Sequence, residues 1–214
     1  MNKQTTTLVS MAMGSLLIPA IASADLQGIS HETVENGMSG LTTYRIYADV
    51  DAGDQVDAIF GDAINPLWIN SDTSFYQNEF GDYAPPTESL FGFFPSLEYD
   101  SFVTIGKLTD TGDAMLDIGI DWTSFEDNGG NIWADNGTWF ATPDDPQVYE
   151  ENGKVLIAQF TTTDNLVSKK FGEANILGKN ADLTSWQYSA VALPAPGALA
   201  LLGLAGYLRV RRRR

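Results

Sequence analysis

The residues best suited to chemistry in this chain are oxygen donors and aromatic rings. Asp49, Asp51, Asp54 and Asp57 fall within nine residues of one another, around the turn former Gly53. Calcium takes six to eight oxygens from carboxylates and carbonyls, so dense Asp near a glycine turn is suitable material. The spacing is not that of an EF-hand: counting from Asp49, the twelfth position is Phe60, where a bidentate Glu is needed. Asp121, Glu126, Asp127, Asn128, Asn131 and Asp135 form a second acidic group, and Asp110 with Asp113 a third. Each group equally fits a solvated acidic surface that keeps the chain soluble. Trp133 and Trp139 lie among glycines and acids, which makes them the candidates for exposed faces that stack on sugar rings. Paired carboxylates facing each other across about 5 to 10 Å could hydrolyse a glycoside, although spacing in sequence singles out no pair.

Other chemistries lack their residues. The 214-residue chain has no Cys, which excludes disulfides, a thiol nucleophile and Cys-ligated metals. It has one histidine, His31, next to Glu32 and read as part of a mobile N-terminal lead-in. No Gly-x-Ser-x-Gly elbow, His-Glu-x-x-His, Walker loop or dinucleotide fingerprint occurs. The 28 acids all lie between Asp25 and Asp182, and only six basic residues share that stretch, a formal −22 within a chain of −16. Polyphosphate would be repelled, so nucleic acid is excluded as a partner of the usual kind.

The elements that must position these residues read as strands. Tyr44, Ile46, Ala48 and Val50 alternate with Thr43, Arg45, Tyr47 and Asp49. Leu116, Ile118, Ile120 and Trp122 alternate with Met115, Asp117, Gly119 and Asp121, placing Trp122 with the apolar set in the core. The run 155–160 suits a strand buried on both sides, and 99–108 is another β-rich segment. Shorter candidates are 56–60, 67–69, 138–141, 174–177 and 186–191. Gly- and Asn-bearing turns such as Asp51-Ala52-Gly53-Asp54, Asp135-Asn136-Gly137 and Glu151-Asn152-Gly153 separate them. Residues 70–95 read as a long loop packed by its own aromatics. Many short strands without crossover helices predict an all-β domain over 25–193, a β-sandwich of jelly-roll-like form.

Both ends read as targeting segments. Residues 1–24 combine Lys3, an apolar run from Leu8 to Ile21 and the small residues Ala22-Ser23-Ala24, the layout of a signal peptide cleaved after Ala24. Residues 194–214 open with Pro194-Ala195-Pro196-Gly197, continue uncharged from Ala198 to Leu208, and end with Arg209 and Arg211, Arg212, Arg213 and Arg214. Pro196 suits the first turn of a helix. The stretch from Pro196 to Val210 would span about 22 Å as a helix, and snorkelling arginines extend its reach toward a hydrocarbon core of about 30 Å. The arginines would stay cytoplasmic and the acidic body outside.

This signal, body and tail resemble the PEP-CTERM sorting architecture, through Pro194-Ala195-Pro196, the apolar stretch 198–208 and Arg211–Arg214. Ala195 stands where the family's name implies Glu. The resemblance implies signal peptidase and an exosortase-like enzyme as processing partners and a transient stay in the inner membrane. Release or attachment at the cell surface of an exopolysaccharide-producing bacterium would follow. The stretches 94–106, 117–122 and 142–147 are similar to bodies of such proteins in planctomycete-like bacteria, which implies a cellular setting and no chemistry. The expected function is that of an exported, non-catalytic protein of the matrix or envelope, binding calcium or polysaccharide. A polysaccharide-active hydrolase is the alternative.

Overall fold

A computed structural model describes residues 25–163 and 171–193; the signal-peptide and sorting-tail readings at 1–24 and 194–214 lie outside the described residues. Eleven strands are described: β1 (Gly28–Val34), β2 (Thr42–Asp49), β3 (Gln55–Gly61), β4 (Leu67–Ile69), β5 (Phe102–Val103), β6 (Leu116–Ile118), β7 (Ile132–Ala134), β8 (Gly137–Phe140), β9 (Lys154–Thr162), β10 (Gly172–Lys179) and β11 (Ser185–Leu193). One short α-helix, α1 (Thr123–Asn128), and three 3-10 turns complete them. Among the described residues no helix is long and apolar enough to cross a membrane.

The architecture is all-β, in two antiparallel sheets. The smaller has the order β1-β2-β9-β5. In the larger, β10 pairs with β11 along one edge, and its other edge is shared end to end by β3 (partners 175–179) and β4 (partners 172–173). β3 and β4 therefore act as one strand interrupted by the loop 62–66. β8 and β7 pair with them in the same interrupted way, and β6 closes the far edge on β8.

Alternation along the strands places one core between the sheets. Tyr44, Ile46 and Ala48 of β2, with Val155, Ala158 and Phe160 of β9, meet Val56, Ile59, Trp139, Ala174 and Ile176 of the larger sheet. Phe75, from the loop after β4, inserts among Phe125, Phe160 and Phe171, with ring centroids 4.8 to 6.2 Å away. The loop expected to pack on its own aromatics therefore also contributes to the shared core, as well as pairing Phe80 with Phe94 at 3.9 Å.

Three expectations about elements are corrected. His31 lies in β1, opposite Ile46, and is not a lead-in. The expected strand 99–108 is regular only over the two residues of β5. The alternation over 115–122 breaks at Gly119, whose φ of +78° is a left-handed conformation favouring glycine. A Cβ at Gly119 would also meet the Asn136 carbonyl. Before the break Leu116 and Ile118 face solvent, 54% and 66% exposed; after it Trp122 is buried. Asp117 takes the inward position instead, accepting from Tyr83 Oη at 2.7 Å and Trp122 Nε1 at 3.0 Å.

Candidate functional site

The reversal in β6 marks the unusual surface of the molecule, the outer face of the larger sheet. Registers place its side chains in three rows. Leu116, Phe140, Ala58 and Leu177 lie across from one another, followed on β11 by Gln187. Ile118, Thr138, Phe60 and Asn175 form the next row. Trp133, Trp68 and Glu173 form the third. Phe140, Ala58 and Leu177 of the first row and Ile118, Thr138 and Phe60 of the second line a groove of about 570 Å³.

A polar end closes this groove. The register slips between Leu177 and Gly178, so that Asp57 is the extra residue of a β-bulge and lines the groove beside Ala58. Asp57 is buried and accepts from Gln55 Nε2. Burial pushes its carboxyl above the usual range, against the hydrogen bond from Gln55 and the charge of Lys179. In the third row, which does not line the groove, Trp133 is 57% exposed, and Trp68 Nε1 donates to Glu173 Oε2 at 3.3 Å. An exposed indole beside a second indole held by a carboxylate offers the mixed apolar and hydrogen-bonding surface that a sugar ring needs.

Trp139 is elsewhere. It is 1% exposed, its indole donates to the Thr104 carbonyl at 3.2 Å, and its ring packs in the core near Trp122. Its two faces are occupied, so the expectation that it binds carbohydrate is corrected. The proposed quartet of calcium ligands also separates. Asp49 accepts from Ser30 Oγ at 2.6 Å at the end of the smaller sheet, while Asp57 lies in the bulge of the larger one. Asp51 accepts from Gln27 Nε2 at 3.5 Å, and Asp54 Oδ1 from the Ala181 N–H at 2.9 Å. Among the described residues no three Asp, Glu or His side chains converge as a metal-binding group.

One carboxyl pair does form, at residues the sequence did not single out as partners. Glu126 of α1 shares a hydrogen bond with Asp82, and that bond, desolvation and the Asp82 charge push Glu126 up to about 7. Carboxyls that share a proton are in hydrogen-bond contact, closer than the roughly 5 Å that even a retaining glycosidase needs between its pair. This geometry leaves no room for a glycosidic bond between them. Asp100 is the other perturbed acid: burial drives it up to about 7, with a further push from Asp82. Its Oδ1 accepts from the Asn78 N–H at 2.7 Å, its Oδ2 has no hydrogen-bond partner, and the loop at Gly81 packs directly on it. It is sealed from any substrate. His31 is held below its ordinary value by burial.

The smaller sheet presents a different outer face. Thr43 Oγ1 bonds Thr161 Oγ1 at 2.6 Å, and Arg45 Nε donates to Gln159 Oε1 at 3.0 Å. Gln159 Nε2 donates to the Glu98 and Asp100 carbonyls, and Thr161 Oγ1 to the Tyr99 carbonyl. The segment 98–101 therefore packs over this face, and among the described residues it is the larger sheet that leaves apolar side chains exposed on its outer face. No family model, curated protein or solved structure matches the chain, so the reading of this face rests on its geometry.

Proposed function

We propose that the chain is an exported, non-catalytic protein of the extracellular matrix or envelope, which holds polysaccharide on the outer face of its larger sheet. The fold is read as a jelly-roll-like β-sandwich, with signal peptide 1–24 and sorting tail 194–214 delivering it through the inner membrane to the surface. The observation that carries the binding assignment is the row Trp133–Trp68–Glu173, an exposed indole paired with a second indole and a carboxylate. The groove on the same sheet face offers room for more than one sugar, as a polymer requires. The proton-sharing contact of Asp82 with Glu126 disfavours the hydrolase alternative at that pair.

The test is affinity electrophoresis of the purified full chain against a panel of acidic and neutral exopolysaccharides. At least one polymer is expected to retard the chain. Trp133→Ala is expected to weaken that retardation about fivefold or more, since stacking on one aromatic contributes on the order of 1 kcal/mol or more. Unchanged retardation by Trp133→Ala would remove this face as the binding surface. Retardation by no polymer would remove the polysaccharide reading altogether.

A further inference from the structure

A cleft of about 420 Å³ opens on the outer side of the smaller sheet, across the core from the groove and the indole row. Its floor includes Tyr47 of β2 and Leu156 of β9, which the register sets opposite each other. Ile46 and Ala48, on either side of Tyr47, belong to the shared core, so Tyr47 faces away from it. The backbone fixes the walls. The Gly106 N–H bonds the Leu156 carbonyl at 2.8 Å, and a Cβ at Gly106 would strike the Gln147 carbonyl, so segment 106–108 and the turn 146–149 are in direct contact there. They bring Lys107 from the one and Tyr149, 41% exposed, from the other to the same cleft.

The charges lining the cleft balance, although the body is strongly acidic. Lys107 and Lys154, two of the four lysine and arginine residues among the described residues, line it together with Glu32 and Glu151. Lys154 is held in place. Its Nζ pairs with Glu32 Oε1 at 3.1 Å and stands 5.2 Å from the centre of the Tyr47 ring, whose Oη donates to Glu32 Oε2 at 3.3 Å. The ion pair uses one of the three ammonium protons.

Ligand classes fare differently against such a lining. A carboxylated sugar meets repulsion from Glu32, Glu151 and the acidic body, and an ammonium ligand meets the lysines. A neutral sugar avoids both, because each hydroxyl can donate to a carboxylate and accept from an ammonium. Its carbon-bound hydrogens suit the Tyr149 ring and Leu156. The volume lies in the range of about 300–1,000 Å³ usual for small-molecule sites.

We propose that this cleft binds a neutral sugar residue, as a carbohydrate site separate from the Trp133–Trp68–Glu173 row. The site stands on the cleft's own geometry; only its occupation by a polymer rests on the function proposed above.

The test is saturation-transfer NMR of the purified full chain, with cellotriose, mannotriose and galactotriose as neutral probes and trigalacturonate as the acidic one. At least one neutral probe is expected to receive transfer, and to keep it with Trp133→Ala, which silences the indole row. Tyr149→Ala is expected to weaken that binding about fivefold or more, the loss of one aromatic contact. Tyr149→Phe keeps the ring and is expected to retain it. Tyr149 is exposed enough for both variants to melt as the wild type does. Transfer to no neutral probe would overturn the inference, as would binding untouched by Tyr149→Ala or a preference for trigalacturonate. None of these outcomes alters retardation of a polymer through Trp133. Transfer abolished by Trp133→Ala would place the sugar on the larger sheet, overturning the cleft and supporting the indole row.

Discussion

The two sheets meet in one core yet treat their outer faces in opposite ways. On the smaller sheet the outward Thr43, Arg45, Gln159 and Thr161 are polar, and the chain's own segment 98–101 is bonded over the Gln159 and Thr161 positions. On the larger sheet the outward side chains include Leu116, Ile118, Phe60, Phe140, Trp68 and Trp133, which among the described residues stay exposed or half-exposed. Polarity alone would predict the reverse. Buried amides and hydroxyls are tolerated on the covered face because each finds a carbonyl or hydroxyl partner; the apolar face needs no partner within the fold and is free to serve another molecule.

The largest expected effect tests the cover through Asp100. An acid whose folded pKa is raised stabilises the fold fully below its unfolded value, and that contribution is lost as pH rises through the folded one. For Asp100 the window runs from its ordinary 3.8 to about 7. Stability is expected to fall across it by as much as about 4 kcal/mol. Urea unfolding at pH 5 and pH 8 spans the upper part of that window, about 2.5 kcal/mol, and Asp100→Asn is expected to remove most of the difference by stabilising the chain at pH 8. An equal slope in wild type and variant would assign the pH dependence to the general acidic charge instead. Next in size is Gln159→Leu, which strands the buried carbonyls of Glu98 and Asp100. It is expected to destabilise by roughly 3 kcal/mol in the same unfolding measurement, with no loss of polysaccharide retardation.

How much of this contrast was legible in the sequence depended on what set each strand's pattern. β2 and β9 were readable because Tyr44, Ile46 and Ala48 alternate with polar residues, and because the run 155–160 is apolar on both sides. β1 escaped because its inward positions after Ile29 are His31 and Thr33, which carry little hydrophobic signal on an edge strand. β7 is too short at three residues for periodicity to register. The facing of β6 was inverted because a glycine at positive φ shifts the phase of alternation. Its inward Asp117 looks solvated until Tyr83 and Trp122 are seen to bond it. Trp133 and Trp139 share a sequence neighbourhood of turn residues, yet only tertiary packing decides which ring is enclosed. Nearness in sequence also misled at the Asp49–Asp57 quartet. The turn that joins β2 to β3 carries the chain from one sheet to the other, and Asp54 finds its hydrogen-bond partner, the Ala181 N–H, 127 positions away.

The smallest stability effect gives the sharpest form of the comparison. Lysine is placed once on each outer face. At Thr161, fully buried beneath segment 98–101, an ammonium group would lose water and displace the hydroxyl bonds to Thr43 and Tyr99. Thr161→Lys is expected to unfold the chain or destabilise it by several kcal/mol, on the order of the cost of an unpaired buried charge. At Ile118 the same ammonium group reaches water directly, and Ile118→Lys is expected to change unfolding free energy by less than about 0.5 kcal/mol. Ile118 is one row from the indole pair, so polysaccharide retardation by Ile118→Lys should fall less than by Trp133→Ala. If Ile118→Lys instead destabilises as Thr161→Lys does, the apolar face is covered by the chain itself, and its openness to a polymer is lost as an argument.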